Sequence, residues 1–166
     1  MDWYMTILRF LHVCFAVVWV GGTAFMVLFF QPGMRRVDPD ARRPVMLAVG
    51  PRVAIGLLIS AAAVFLTGVL MVLDVLTMNH LDRLWHTAWG WSISLGFLVA
   101  TAMFLTGLMY VVRNIFRMKA MAEGDNPPTF EELRSIQAQM RYGAMVALTF
   151  GILAIFTMVV ARGYNP

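Results

Sequence analysis

Two Arg-x-x-His units contain the residues of this sequence that are best suited to chemistry. Arg9 precedes His12 by one helical turn, and Arg83 precedes His86 in the same way, near the start of the first and third apolar segments. A histidine nitrogen can serve as an axial ligand of heme iron, and an arginine can bind a heme propionate through charge-assisted hydrogen bonds. The units predict a heme b site in which His12 and His86 ligate the iron and the two arginines lie near the propionates.

Each of these residues also has an alternative role that involves no cofactor. His12 can be a neutral histidine that hydrogen-bonds a nearby hydroxyl or carbonyl group, although ionisable residues inside a span are rare and often functional. His86 can belong to an aromatic belt at the membrane interface. Arg9 and Arg83 can extend to lipid headgroups. His80 is a weaker candidate for a metal ligand than His86.

Trp19 is the remaining candidate for cofactor binding. Ala16 and Trp19 follow His12 by four and seven residues, so the three side chains share one helix face. Gly21 and Gly22 come next, which gives a bulky surface followed by a small one. Such a surface is predicted to admit a flat cofactor, and ordinary helix packing is the alternative.

Four long apolar segments must position these residues. The chain of 166 residues is 60% hydrophobic and 13% charged, whereas a soluble domain has about a quarter of its residues charged. A helix of about 20 residues crosses the hydrocarbon core of a bilayer. The segments lie at approximately 4–30, 52–76, 87–113 and 142–161. They predict an all-α integral membrane four-helix bundle, with residues 1–166 forming a single domain in contact with the lipid bilayer.

The distribution of Lys and Arg predicts how the bundle is oriented. Ten basic residues lie in or beside the connections between segments one and two and between segments three and four, and three lie on the opposite side. Loops rich in Lys and Arg stay in the cytoplasm. Both termini are therefore expected outside, in a bacterial inner membrane. The net charge of +4 is explained by these loops, so no nucleic-acid partner is predicted.

The two basic connections are predicted to differ in structure. In the second, Thr129 and Glu132 have the spacing of a capping box, so helix four is expected to begin near Phe130, and helices three and four both extend into the cytoplasm. In the first, Pro44 and Pro51 predict a short amphipathic segment that is broken before span two, because proline disrupts a helix interior.

One short sequence occurs twice, in spans two and three. Phe65-Leu66-Thr67-Gly68 recurs as Phe104-Leu105-Thr106-Gly107. Small residues let membrane helices approach closely. Packing therefore explains both copies without a functional repeat.

Short motifs in the first 75 residues resemble those of a known family. They are Leu11-His12-Val13, Val18-Trp19-Val20-Gly21-Gly22, Gln31-Pro32, Arg52 and Leu66-Thr67-Gly68. The pattern resembles the copper resistance protein D family, and the membrane protoporphyrinogen oxidases of the HemJ type share a similar first helix. The resemblance implies heme b or copper as the cofactor and carries over His12. Both groups typically have a lysine in the third span, where this chain has none.

Electron transfer in the membrane is the function that these observations predict. A quinone and a periplasmic redox protein are the expected partners, or else the chain is a homo-oligomer or a subunit of a larger redox complex. One alternative is a copper-handling permease that uses His12, His80 and outer methionines. Another is a non-catalytic structural subunit of a membrane complex. No recognisable catalytic motif decides whether the chain is an enzyme.

Overall fold

Four long helices make up most of the part of the chain that the structure describes. The structure is a computed structural model that describes residues 3–77, 85–123 and 129–164, and it contains no strand within those ranges. Helix α1 runs from Trp3 to Met34, α2 from Pro39 to Thr77, α3 from Ala88 to Glu123 and α4 from Phe130 to Gly163. Each helix contains a stretch that is long and apolar enough to cross a membrane. The predicted all-α, four-helix architecture is confirmed.

Consecutive helices run in opposite directions, which gives the bundle two distinct ends. We call the end at Trp3, Thr77, Ala88 and Gly163 the terminal end, because the first and last described helices begin and end there. The opposite end contains the end of α1, the start of α2, the end of α3 and the start of α4, and most of the arginines lie near it. We call it the basic end.

Glycines allow α3 and α4 to pack closely along their length. A Cβ atom added at Gly96 would meet the side chain of Thr157 at 2.8 Å, and one added at Gly143 would overlap Tyr110. Gly151 lies against Met103 in the same way, at 3.0 Å. Small residues are typical of interfaces between membrane helices, because dispersion contacts there replace the hydrophobic effect.

Trp19 lies at the centre of the bundle core. Its side chain is only 6% exposed, and its rings pack against those of Phe65 on α2 and Phe104 on α3, with centroids 5.9 and 6.4 Å apart. Phe65 and Phe104 also contact each other edge to face at 5.8 Å. These aromatic contacts connect three helices and fix their relative heights.

Helices α1 and α3 contain π-helical segments at Val17–Gly21, Met26–Phe30 and Gly107–Val112. Pro32 has no N–H to donate to a carbonyl one turn earlier, and the segment at Met26–Phe30 ends two residues before it. A π segment is one way in which a helix accommodates such a lost hydrogen bond. The other two segments contain or adjoin glycine, which is also common where helices deviate from regular geometry.

Helix α2 is continuous from Pro39, so the predicted break at Pro44 and Pro51 is wrong. The helix begins where the Asp38 carboxylate accepts a hydrogen bond from the Asp40 N–H at 2.9 Å. Proline at the first helical position is favourable. Each later proline removes one hydrogen bond from a helix of 39 residues, and packing of the surrounding turns against the bundle offsets that loss.

The capping box predicted for α4 is confirmed. The Thr129 hydroxyl accepts from the Glu132 N–H, and the Glu132 carboxylate accepts from the Thr129 N–H at 3.0 Å. Bonds from the Thr129 N–H and hydroxyl, together with the charge of Arg117, lower the pKa of Glu132. Helix α3 extends to Glu123, so both helices continue beyond the apolar region as predicted.

Candidate functional site

His12 binds Thr67 across the interface between α1 and α2. The Nδ1 atom of His12 lies 3.0 Å from the Thr67 hydroxyl oxygen. His12 is half-buried, and Thr67 is buried. Nine residues separate His12 from the start of α1 at Trp3, which places the ring about 14 Å from the terminal end of the helix.

The hydrogen bonds of Thr67 indicate which nitrogen of His12 carries the proton. The single hydroxyl proton of Thr67 is directed to carbonyls of its own helix, that of Ala63 at 2.7 Å or that of Val64 at 3.1 Å. We infer that the hydroxyl oxygen accepts a hydrogen bond from Nδ1–H of His12, a side chain that also interacts with the Val64 backbone. A neutral imidazole protonated at Nδ1 has its lone pair on Nε2. Nε2 is therefore the atom of His12 that can bind a metal.

Gly68 allows the His12 ring to lie against α2. A Cβ atom added at Gly68 would be 3.3 Å from Cε1 of His12 and 3.7 Å from Nδ1. The first of these distances is tight, so a side chain at this position would displace the imidazole. Thr67 and Gly68 together set the position and the tautomer of His12.

The two predicted axial ligands lie at different heights. Helices α1 and α3 run in the same direction, and the contacts of Trp19 with Phe104 and of Phe65 with Phe97 relate their positions. At this offset His12 is level with residues 95–97 of α3, which are nine to eleven residues beyond His86. That interval is about 14–16 Å along a helix axis. Two ligands of one iron must lie closer together than this, and the pairing of His12 with His86 stays a prediction.

His86 has the surroundings of the alternative, interfacial role. It is exposed, it precedes α3, and the hydroxyl of Thr87 caps that helix by accepting a hydrogen bond from Gly90 N–H at 3.1 Å. Trp85 and Trp91 on either side are 62% and 61% exposed. An exposed histidine among exposed tryptophans is typical of an aromatic belt.

The predicted arginine pair is only partly within the described residues. Arg9 is exposed on α1 and lies one turn nearer the terminal end than His12. Such a position suits either a propionate or a lipid headgroup. Arg83 and His80 lie outside the described residues. The site in hand therefore consists of His12, Thr67, Gly68 and the nearby Arg9.

Trp19 faces the same side of α1 as His12, as predicted, but it is packed among Phe65 and Phe104. Its position agrees with the alternative of ordinary helix packing. A flat cofactor could reach its ring only by displacing one of the two phenylalanines.

No set of three or more His, Cys, Asp or Glu side chains comes together within the part of the chain that the structure describes. A closed site for a bare metal ion needs about four such ligands. Heme iron needs fewer ligands from the protein, because the porphyrin supplies four nitrogens. The copper alternative would also use methionine sulfur and His80, which lies outside the described residues, so heme and copper both stay predictions.

Sequence reasoning missed Thr67 and Gly68 as partners of His12. The repeated Phe-Leu-Thr-Gly sequence contained a usable signal. In α2 its threonine binds His12, whereas in α3 the Thr106 hydroxyl binds the Ala102 carbonyl of its own helix at 2.7 Å. The two copies have different roles, and only the copy opposite a histidine forms a polar site.

Comparison with known proteins gives no further assignment. The chain matches no protein-family model, and no curated protein or solved structure is significantly similar to it.

Proposed function

We propose that this chain is a membrane protein that binds heme b through His12 and transfers electrons. The hydrogen bond between His12 Nδ1 and Thr67 is the observation that carries the proposal. Histidines that bind metals almost always donate their other ring N–H to a fixed acceptor, which sets the tautomer and the ring orientation. Thr67 provides such an acceptor and leaves Nε2 for the iron.

The same geometry is compatible with a histidine that has only a structural role, so the proposal needs a test that separates the two. A structural histidine stabilises the fold and has no effect on colour. A ligand also determines whether the protein carries heme. Bound heme would supply one-electron redox chemistry, and Arg9 would bind its propionates at the terminal end.

The decisive experiment compares His12→Ala with His86→Ala in the purified full-length chain. We expect the wild type and His86→Ala to carry heme in equal ratio to protein, measured by absorption spectra and by extraction of the porphyrin. His12→Ala should lose at least nine-tenths of the heme, and added imidazole should restore part of the absorption. Circular dichroism of each variant checks that the helices are formed.

A wild-type chain purified without heme would overturn the proposal, provided that the cells were supplied with heme precursors. Retention of heme in His12→Ala would overturn it equally. Equal loss of heme in His12→Ala and His86→Ala would contradict the proposal that His12 binds the iron without His86.

We also propose that the helices span the bacterial inner membrane with both termini outside. The excess of Arg and Lys at the basic end supports this orientation. Alkaline phosphatase fused after residue 166 should be active. Green fluorescent protein fused at the same position should not fluoresce. The reverse pattern would place the termini in the cytoplasm.

The redox partner follows from this topology. A heme held by His12 would lie nearer the terminal end, within reach of a periplasmic redox protein. A quinone in the bilayer would be the corresponding partner on the membrane side, either directly or within a larger complex.

A further inference from the structure

The last turn of α1, at the basic end, makes few contacts that would hold it in place. Thr23 and Val27 are buried, and Val27 is the last buried residue of the helix. None of the residues Gln31–Met34 is buried. Elements with few buried apolar contacts open at a low free-energy cost. We call Gln31–Met34 the end segment of α1.

The backbone that joins the end segment to the rest of α1 is also weakly hydrogen-bonded. The N–H of Gln31 donates to the carbonyl of Met26, five residues earlier, which is the pattern of a π-helix. Pro32, the next residue, has no N–H to donate. Hinges usually consist of a few residues near the end of an element. The π turn at Met26–Phe30 has the position and the bonding of such a hinge.

Helix α3 contains the same irregularity but is fixed to α4 on both sides of it. Tyr110, within the π segment Gly107–Val112, lies so close to Gly143 that an added Cβ atom would overlap it. Beyond the segment, Asn114 is 2% exposed and donates to the Gln139 side chain at 3.3 Å. Beyond Val27, no residue of α1 is buried in this way. The two helices therefore differ in what holds their irregular turns.

The inner side of α1 faces unfilled space at this level. A cavity of about 90 Å³ lies in the half of the bundle nearest the basic end, and all four helices contribute to its wall. Thr23, Met26 and Gln31 are its wall residues on the last turns of α1. A close-packed interior resists displacement of a helix, whereas a cavity leaves room for it. Gln31 is the last wall residue of α1, so its movement changes the width of the cavity at the basic end.

We propose that the end segment of α1 is a gate, which swings about the π turn at Met26–Phe30 and opens or closes the basic end of the cavity. In the inward position Gln31 enters the unfilled space. In the outward position it leaves that end of the cavity open. The aromatic contacts of Trp19 keep the preceding part of α1 in place. His12 lies on the other side of Trp19, so the gate is independent of the proposed heme site.

Distances between pairs of spin labels test the motion in the full-length protein, reconstituted in lipid nanodiscs. Cys14→Ser removes the native thiol from every variant. Gly33→Cys with Gln137→Cys measures the distance from the end segment to α4, and Val45→Cys with Gln137→Cys is the control pair from α2 to α4. These three positions are exposed. We expect the distance distribution of the first pair, from pulsed electron paramagnetic resonance, to be at least twice as wide as that of the control pair.

Two substitutions should restrict the gate in different ways. Pro32→Ala restores an N–H that can donate to a carbonyl of the preceding turn, so it should narrow the first distribution to the width of the control pair. Gly107→Leu should fill the cavity, because an added Cβ atom meets no atom within 4 Å and Gly107 lies in the wall. It should remove the shorter distances. Gly56 also has open space around it but lies outside the wall, so Gly56→Leu should leave the distribution unchanged. Circular dichroism checks that each variant is helical.

Two results would overturn the proposal. Equal widths for the two pairs in the unsubstituted background would mean that the end segment is as firmly held as α2. A wide distribution that neither Pro32→Ala nor Gly107→Leu alters would mean that the motion depends on neither the π turn nor the cavity.

Discussion

Removal of the hydrogen bond between His12 and Thr67 tests the geometry of the site without reference to any cofactor. Thr67→Val keeps the shape of the side chain and deletes the hydroxyl that accepts from Nδ1–H at 3.0 Å. His12→Leu deletes the donor. The double variant lacks both partners, so the four proteins form a cycle that isolates the interaction.

The expected magnitude follows from the location of the bond. Hydrogen bonds between membrane helices contribute about 0.6 kcal/mol on average and up to about 1.7 kcal/mol. Thr67 is buried, and Thr67→Val leaves the His12 N–H without this acceptor. We therefore expect a coupling free energy between His12 and Thr67 of about 1 kcal/mol, which lies between the average and the upper value. Thr67→Val alone should cost about 1–2 kcal/mol of unfolding free energy.

The assay is reversible unfolding of the heme-free chain in mixed micelles, followed by circular dichroism. Thr101→Val is the matched control, because the Thr101 hydroxyl binds only its own helix, at the Phe97 carbonyl, in the bonds that the structure gives. It should change stability by no more than about 0.5 kcal/mol. A coupling between His12 and Thr67 below about 0.3 kcal/mol would refute the assignment of this bond, and with it the argument for the Nδ1–H tautomer.

Two further predictions concern packing and pH. Gly143→Ala should destabilise the bundle by about 1–3 kcal/mol, since its Cβ would overlap Tyr110. Gly56→Ala, which has open space around the added Cβ, should be neutral or slightly stabilising. Equal effects of the two substitutions in chemical unfolding would contradict the close approach of α3 and α4. The pKa of Glu132 is lowered in the folded chain from its ordinary value of 4.5. Its contribution to stability is therefore present above pH 4.5 and is lost as the pH falls through the lower pKa of the folded chain. Protection of the amide hydrogens at the start of α4, measured relative to their intrinsic exchange rates at each pH, should fall below about pH 4.5 in the wild type and show no such step in Thr129→Ala/Glu132→Gln.

The helices were predictable because each depends on local sequence or composition. The capping box at Thr129 and Glu132 is a local pattern, and the structure places the start of α4 where that pattern predicts it. The long apolar segments depend on composition alone. The break predicted at Pro44 and Pro51 is wrong because the low helix propensity of proline was considered without the packing of the surrounding turns.

The predicted pairing of His12 with His86 depends on a different assumption. The two Arg-x-x-His units look equivalent when each is counted from the start of an apolar segment. The structure shows that α1 begins nine residues before His12, whereas α3 begins two residues after His86. Depth depends on where a helix begins, and the sequence around His86 does not mark that point clearly. Thr87, the residue that caps α3, was not identified.

The cavity was beyond sequence reasoning because it depends on the spacing between helices. A cavity lined by all four helices includes small residues of α2 that are one and then two turns apart, namely Gly50, Ala54 and Ala61. Small residues at this spacing usually indicate close helix packing, and along α3 and α4 they do so. In α2 the same pattern leaves a space, because α2 and α3 approach each other at few positions. Only the relative placement of the helices distinguishes the two outcomes.

Trp19 separates the His12 site from the part of the core nearest the basic end. Its contacts with Phe65 and Phe104 close the core at that height. A heme at His12 would therefore stay on the side of the terminal end. Thr67→Val should then weaken heme binding by about 10–100-fold, and Gly50→Leu, at a position that lines the cavity nearer the basic end, should leave heme binding unchanged. Loss of heme in Gly50→Leu would mean that Trp19 does not separate the two regions.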